Sequence, residues 1–436
     1  MHDFSPEILL ITILGLVVAS DALAKRLKVP SVFLLLMGSY MIYHYIPMAV
    51  PIDLKQSFDA VIIFSIPLIF MGDALHLHFS DIKKHAWDIF YLAVVAVALS
   101  ITIGASLYHF EIFGELTLGA YVALFAINMA TDAVSVQSVL SQFKGISHHI
   151  KVLIEGESLG NDATAVIAFF FIGLPWMMSG TIDTTHATFD ALRVFAVSIA
   201  IGIAIGYIFY MFLKLLNERR GEFFTFVIEA YLAYVLAEEM HVSGILTLIT
   251  AIIATKAWID MDIEAHANPS GVSKSKNFMK TLRLDSIQAT TTERLEYIYE
   301  MAKEFGYIAA VMIFFVLAEM VDIEKLWHYR EEILIMFAIT TVIRMLSMAK
   351  FALFGKNIES IKSVNLEGWF VLTFSGMKGA LSIILVHMIP SSYEHKEFFE
   401  VVTTGVVVLS IFGYGTILWL YFTIKDMRAK RASIFE

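Results

Sequence analysis

The sequence has no cysteine, so it forms no disulfide, and cysteine usage says nothing about redox compartment. It is also short of charge: Asp, Glu, Lys and Arg make up 17% of its 436 residues, where soluble domains carry roughly 25%. Short segments of alternating polar and apolar residues are missing, which excludes a membrane β-barrel. No Lys or Arg precedes the first apolar run, in Met1-His-Asp-Phe-Ser-Pro-Glu7, so that run makes a poor signal peptide and is expected to remain as the first helix. A basic face for nucleic acid is lacking too, because the net charge is −10 and the basic residues sit in loops between apolar runs.

What is present is apolar length. Hydrophobic residues are 58% of the chain and the mean hydropathy is +0.73, in runs of the roughly 17–25 residues that a helix needs to cross hydrocarbon. The fold class is therefore an all-α polytopic membrane protein. Thirteen spans are expected near residues 6–24, 31–47, 57–76, 87–109, 116–141, 152–175, 190–214, 223–237, 243–258, 305–321, 332–354, 366–388 and 399–424. The division between the eighth and ninth rests on Glu238, Glu239 and His241 alone.

Loop charge supports this count. On alternate sides, one set of loops holds Lys25, Arg26, Lys28, Lys83, Lys84, Lys144, Lys151, Lys214, Arg219, Arg220, the 259–304 segment, Lys350, Lys356, Lys362 and the tail from Lys425 to Arg431. The other set holds only Lys55, Arg193, Lys325, Arg330 and Lys396 among acidic residues. Such asymmetry places the basic loops and the carboxyl terminus in the cytoplasm and the amino terminus outside. The 259–304 segment reads as a polar cytoplasmic linker, with an amphipathic surface helix over Thr291-Thr-Glu-Arg-Leu-Glu-Tyr-Ile-Tyr-Glu-Met301.

Two spans carry polar interruptions in matched positions. The fifth contains Asn128, Thr131, Asp132, Ser135 and Gln137; the twelfth contains Thr373, Ser375, Gly376, Lys378, Gly379 and Ser382. They lie seven spans apart, an odd offset that implies inverted repeats with two interrupted helices crossing near the midplane. Broken hydrophobic segments in corresponding positions of two halves point to a secondary transporter's binding site. The sixth span supplies the strongest chemistry, in Glu155-Gly-Glu-Ser-Leu-Gly-Asn-Asp162. Carboxylates are costly in hydrocarbon and mark ion or proton sites. On a helix Ser158, Asn161, Asp162 and Ala165 share one face, and Thr131, Asp132, Ser135 and Ser138 would share another on the fifth span. Oxygen donors of this kind suit hard cations, and Asp162 could hold a cation or a proton by turns, which suffices for antiport. Two basic residues also lie inside spans. Arg344 needs a buried anion, for which Glu157 is the natural partner; Lys378 could offset half-helix dipoles or pair with Asp132.

With Thr131-Asp132, Gly156-Glu-Ser-Leu-Gly-Asn-Asp162-Ala, Arg344 and Ser375-Gly-Met-Lys-Gly-Ala-Leu-Ser382, nearly the whole chain resembles the NhaP-type sodium/proton antiporters of the monovalent cation/proton antiporter superfamily. The resemblance implies thirteen helices, a homodimer, and a six-helix core domain moving against a dimerisation domain. It implies Na⁺ or Li⁺ exchanged for H⁺ without any cofactor, with Asp162 as the carrier supported by Asn161, Thr131, Ser158 and Asp132, and Glu157 paired with Arg344. Exchange would be electroneutral, because Asn161 cannot ionise where electrogenic relatives have a second acid. The implied layout is dimerisation-side and first-repeat helices in 1–86, core helices in 87–175, dimerisation or linker helices in 176–258, the loop 259–304, second-repeat helices in 305–424 and a tail at 425–436. The chain departs from the family pattern in having Ala133 for Pro, Lys378 for Arg, and Phe70-Met-Gly-Asp73 for Phe-Glu-Gly-Gly, so that Met71 stands in place of a carboxylate.

That last departure keeps K⁺/H⁺ antiport as a rival on the same scaffold. Other classes are a cation channel and an intramembrane hydrolase, since Gly156-Glu-Ser-Leu-Gly160 also fits G-x-S-x-G with Ser158 as nucleophile and His387 as base. His76, His78, Asp81 and His85 read as interfacial groups rather than metal ligands, and His148 and His149 as solvated histidines of a cytoplasmic loop, with pH sensing as the alternative. Gly202-Ile-Ala-Ile-Gly206 permits close helix packing and is weak evidence for a dimer face.

Overall fold

The computed structural model describes residues 5–50, 58–77, 79–143, 146–181, 183–216, 218–267, 289–353 and 366–435. Within them the chain is helical almost throughout, as hydrocarbon requires of a backbone that must satisfy its own polar groups. Helices lie on every stretch expected to span: Ser5–Leu27, Ser31–Tyr45, Phe58–His76, 86–110, 118–140 with a break, 148–179, Thr184–Leu213, Arg219–Glu239, Gly244–Ala267, Thr292–Met320, Arg330–Leu353, 366–387 with a break, and 396–435. Among the described residues, eight helices are long and apolar enough to cross a membrane. The fold is an all-α polytopic membrane protein.

Two compact units divide the chain: one takes 1–62, 86–188 and 310–436, the other 63–85 and 189–309. The first unit contains both broken spans. Around them, Val136, Val139, Leu140, Leu153, Met348, Leu372, Met377 and Leu418 form a buried apolar cluster. Three of its long helices contain a π-helical turn, at Tyr91–Val95, Phe169–Gly173 and Ser410–Tyr414. Such turns are one-residue bulges within an α-helix, and no sequence pattern above pointed to them.

The second unit is made of unbroken helices and buried ion pairs. Its eighth and ninth spans are separated by a tight turn in which His241 has φ 55° and the Glu238 carboxylate accepts the Gly244 N–H at 3.1 Å. Two of the three residues used to divide them thus build the turn. Gly202 and Gly206 of the seventh span pack within this unit, against the backbone of Thr247 and Ala251 on the ninth. The Lys256 ammonium donates to the carbonyls of Leu75 and Leu77, closing the carboxyl end of the third span in the way a cation suits a helix C-terminus.

The 259–304 segment differs from expectation. Helix continues to Ala267 and resumes at Thr292, where it runs unbroken to Met320. The expected surface helix over 291–301 is therefore the first part of the tenth span. Burial of Glu222 supplies the physical reason: its carboxylate accepts from Thr290 Oγ1 at 2.6 Å and Arg294 Nη1 at 2.8 Å, so the polar face of this segment meets a buried anion. Beside it Asp262 accepts from Lys214 Nζ at 2.9 Å, Tyr210 Oη at 3.2 Å and the Ala289 N–H at 2.9 Å. The Asn268-Pro-Ser-Gly and Lys274-Ser-Lys motifs, with Lys55, His78, Lys144, Lys356 and Lys362, lie outside the described residues.

Candidate ion-binding site

The fifth span stops at Ile127 and restarts at Ala133; the twelfth stops at Phe374 and restarts at Ala380. Residues 128–131 and 375–379 are all buried, so each freed backbone group needs a partner within the protein. The two breaks supply each other. Asp132 N–H donates to the Met377 carbonyl at 2.8 Å, and Ser382 Oγ donates to the Ile127 carbonyl at 2.8 Å. Lys378 N–H finds Ser410 Oγ at 2.8 Å. The approach is too close for side chains at two positions: a Cβ on Gly379 would collide with Asp132 Cβ, and one on Gly376 with Arg344 Nε.

The sixth span closes the first break. Ser158 Oγ donates to the Thr131 carbonyl at 2.7 Å and accepts the Ala133 N–H at 3.1 Å. Asp162 Oδ1 accepts the Thr131 N–H at 3.2 Å, and Asn161 Nδ2 donates to Thr131 Oγ1 at 2.8 Å. Ser158, Asn161 and Asp162 therefore converge on Thr131, as their shared helical face led one to expect. Thr131 and Asp132, however, lie in the extended break and not on a helical face with Ser135 and Ser138. The result is a small buried group of oxygens from Asp162, Ser158 and the Thr131 hydroxyl and carbonyl. Carboxylate, hydroxyl and carbonyl oxygens of this kind suit an alkali cation.

Asp132 has a different place. It caps the helix Ala133–Leu140, accepting from Val134 N–H at 3.1 Å, from Ser135 N–H at 3.3 Å and from Ser135 Oγ. Among the described residues its carboxylate makes no ion pair with Lys378, which corrects the pairing considered from the sequence. The reason is local: a helix N-terminus offers a carboxylate several N–H donors and a favourable dipole without any cation.

Glu157 and Arg344 form a two-pronged pair, Nη1 to Oε1 at 2.6 Å and Nη2 to Oε2 at 3.0 Å. The guanidinium also donates from Nε to the Thr373 carbonyl at 2.9 Å and from Nη2 to the Leu372 carbonyl at 2.9 Å. Arg344 thus neutralises a buried acid and closes the carboxyl end of the half-helix Leu366–Phe374. Lys378 is 4% exposed and lies within electrostatic reach of Arg344, Glu157 and Asp162.

Ser158 stands inside the helix His148–Ala168, not on the strand-to-helix elbow that a G-x-S-x-G nucleophile requires. Its hydroxyl is occupied by the break, and the ring of His387 packs on Phe58 with centroids 3.7 Å apart. Ser158 is thus not placed as a nucleophile, nor His387 as its base. Sequence reading missed Ser410, which holds Lys378, and Thr403, which accepts from Asn128 Nδ2 at 3.4 Å. Both are fully buried polar residues in the apolar thirteenth span, and that contrast was the available signal.

Residues 8–423 match the family model described as "Sodium/hydrogen exchanger, transmembrane". The Na(+)/H(+) antiporter NhaH of Halobacillus aidingensis is 25% identical over 430 residues, which cover 96% of each chain. The Na(+)/H(+) antiporter ApNhaP of Aphanothece halophytica is 23% identical over 355 residues, 81% of this chain but only 62% of that protein. The structure of the sodium proton antiporter MjNhaP1 from Methanocaldococcus jannaschii at pH 8 superposes with a TM-score of 0.74 at 15% identity, covering 96% of this chain and 98% of that one; the likeness is one of fold. With nearly its full length matched, the chain belongs to the transmembrane sodium/hydrogen exchanger family.

Proposed function

We propose that this protein exchanges Na⁺ or Li⁺ for H⁺ by alternating access at Asp162. The observation that carries the reading is the meeting of one carboxylate with the Thr131 and Ser158 oxygens where a buried helix is broken. A cation and a proton compete for that carboxylate, so one leaves as the other arrives. Asp162 then carries the charge, Thr131 and Ser158 offer oxygens, Asn161 holds Thr131, and Asp132 fixes the half-helix whose start borders the site. Glu157 and Arg344 stay fixed and neutralise each other, and Lys378 adds one positive charge within reach of Asp162. No cofactor is needed, because competition for one carboxylate supplies the coupling.

The wider assignment is a homodimer in a cell membrane, serving pH and sodium homeostasis, with the amino terminus outside and the carboxyl terminus cytoplasmic. The basic loops support that orientation. Exchange is electroneutral, one proton per cation, since Asn161 cannot ionise and the carboxylate of Asp132 is taken up by capping.

The test is reconstitution in proteoliposomes with an imposed pH gradient. Na⁺ or Li⁺ should dissipate the gradient; K⁺ alone doing so would establish the K⁺/H⁺ rival that Met71 leaves open. A membrane potential without a pH gradient should drive no net Na⁺ uptake. Potential-driven uptake coupled to proton movement would defeat the one-to-one stoichiometry, and current without any proton coupling would mean a channel.

A further inference from the structure

The sixth span has two polar faces, and the cation reading uses one of them. Ser158 and Asp162 meet the first break. Glu157 and Asn161, four residues apart, line a pocket of about 20 Å³ together with Arg344, Lys378, Ser100 and Thr340. That is room for one water.

The hydrogen-bonding groups of this pocket select its occupant. Arg344 directs its donors to Glu157 and to the carbonyls of Leu372 and Thr373. Ser100 and Thr340 donate to carbonyls of their own helices, Ala96 and Met336. Three groups are left, the Lys378 ammonium, the Asn161 amide oxygen and the Ser347 hydroxyl. No hydrogen bond or ion pair among the described residues reaches the ammonium of Lys378, and Asn161 Oδ1 is buried without a donor. An anion would need several donor groups and would find only the ammonium and one hydroxyl; a cation would be repelled by Lys378 and Arg344. Water both accepts and donates, so it fits between an ammonium and an amide oxygen.

We propose that a water in this pocket links Lys378 to Asn161, making Lys378 a positioning residue for the cation site. The link fixes which way the amide faces. With Oδ1 turned to the water, Nδ2 points to Thr131 Oγ1, the contact that is seen at 2.8 Å. Thr131 is in turn tied to Asp162 through its N–H. The backbone of Lys378 is itself pinned, by Ser410 on its N–H and by Asp132 on the carbonyl of Met377. Removal of the ammonium therefore changes the pocket and leaves the break in place. An amide that turned over would accept from the Thr131 hydroxyl instead of donating to it, altering the oxygen that faces the cation.

This inference rests on Asp162 being the cation site. Its test compares Lys378→Met, Asn161→Ala and the double variant in proteoliposomes, with Na⁺-induced thermal stabilisation in detergent as a second readout. Asn161→Ala should raise the Na⁺ concentration for half-maximal exchange about tenfold, the effect expected of one charge-assisted hydrogen bond; Lys378→Met loses the same link but also removes a charge that repels a cation near Asp162, so its own shift should be smaller. Maximal rate should stay within about twofold, and in the Lys378→Met background Asn161→Ala should raise that concentration by less than about twofold more, because the link it breaks is already gone. Multiplied effects in the double variant, or a lower rate with unchanged Na⁺ dependence, would overturn the link. Should Lys378→Met not fold, Lys378→Leu, which also has no donor, answers the same question. A wild-type protein stabilised by Na⁺ but inactive in exchange defeats only the transport reading; one neither stabilised nor active defeats both.

Discussion

The two broken spans solve one electrostatic problem with opposite signs. In the fifth, the restarting half-helix Ala133–Leu140 presents its N-terminus to an acid, Asp132, borne on the break itself. In the twelfth, the ending half-helix Leu366–Phe374 presents its C-terminus to a base, Arg344, that comes from the eleventh span. Helix ends carry partial charges of about half a unit, positive at the N-terminus and negative at the C-terminus. The first break is thus self-contained, whereas the second depends on a distant residue that also holds Glu157. The cation site proposed at Asp162 is built against the first alone.

The largest effect expected from breaking this asymmetry is at Asp162. Asp162→Asn should abolish exchange, at least 100-fold, because an amide neither cycles a proton nor binds a cation strongly. An amide oxygen still accepts the Thr131 N–H, so the variant should be monodisperse and fold normally. Proteoliposome flux and size-exclusion chromatography check the two halves of this outcome.

Next in size is the borrowed base. Arg344→Gln or Glu157→Gln strands a buried charge at roughly 3–5 kcal/mol, and each should lower the melting temperature more than the double substitution does. Additive losses would show that the pair carries no coupling. Third is the crossing. Gly379→Ala forces a methyl group onto Asp132 and should cost about 1–3 kcal/mol, with loss of transport, since the displaced residue borders Thr131. Thermal unfolding and flux measured together would show whether the crossing tolerates that displacement.

The smallest effect tests the self-contained cap. Asp132→Ala should lose about 1 kcal/mol, and Asp132→Asn only a fraction of that, because Asn also caps helices. If Asp132 acts by capping, Asn should keep most of the exchange rate. Inactivity of the Asn variant at full thermal stability would show that its charge acts on the ion directly.

Much of this was legible before any coordinates. Apolar run length gave the spans, because hydrocarbon thickness sets it. A guanidinium inside a span demanded a carboxylate, and Glu157 was the one adjoining the Ser158–Asp162 motif. What stayed hidden depended on directions that one-dimensional spacing does not carry. Asp132 and Lys378 have opposite charges in matched breaks and yet do not pair, since the helix amides nearest Asp132 take its oxygens first. The beginning of the tenth span was hidden because its polar residues look like a surface face until the buried Glu222 is seen beneath them. Gly202 and Gly206 announce a close contact without saying that the ninth span makes it.

The π turns have a consequence for length variation. Each holds one residue more than an α-helix needs, so removal of a single residue from Phe169–Gly173 would restore regular winding there. Everything from Leu174 onward would keep the face it now presents relative to Asp162, because the residue removed is the extra one that the wide turn absorbs. A one-residue deletion, which in a regular α-helix turns everything beyond it by about 100°, would at this position keep both the helix and its register, so homologues one residue shorter at this point should carry the same inward-facing side chains beyond it.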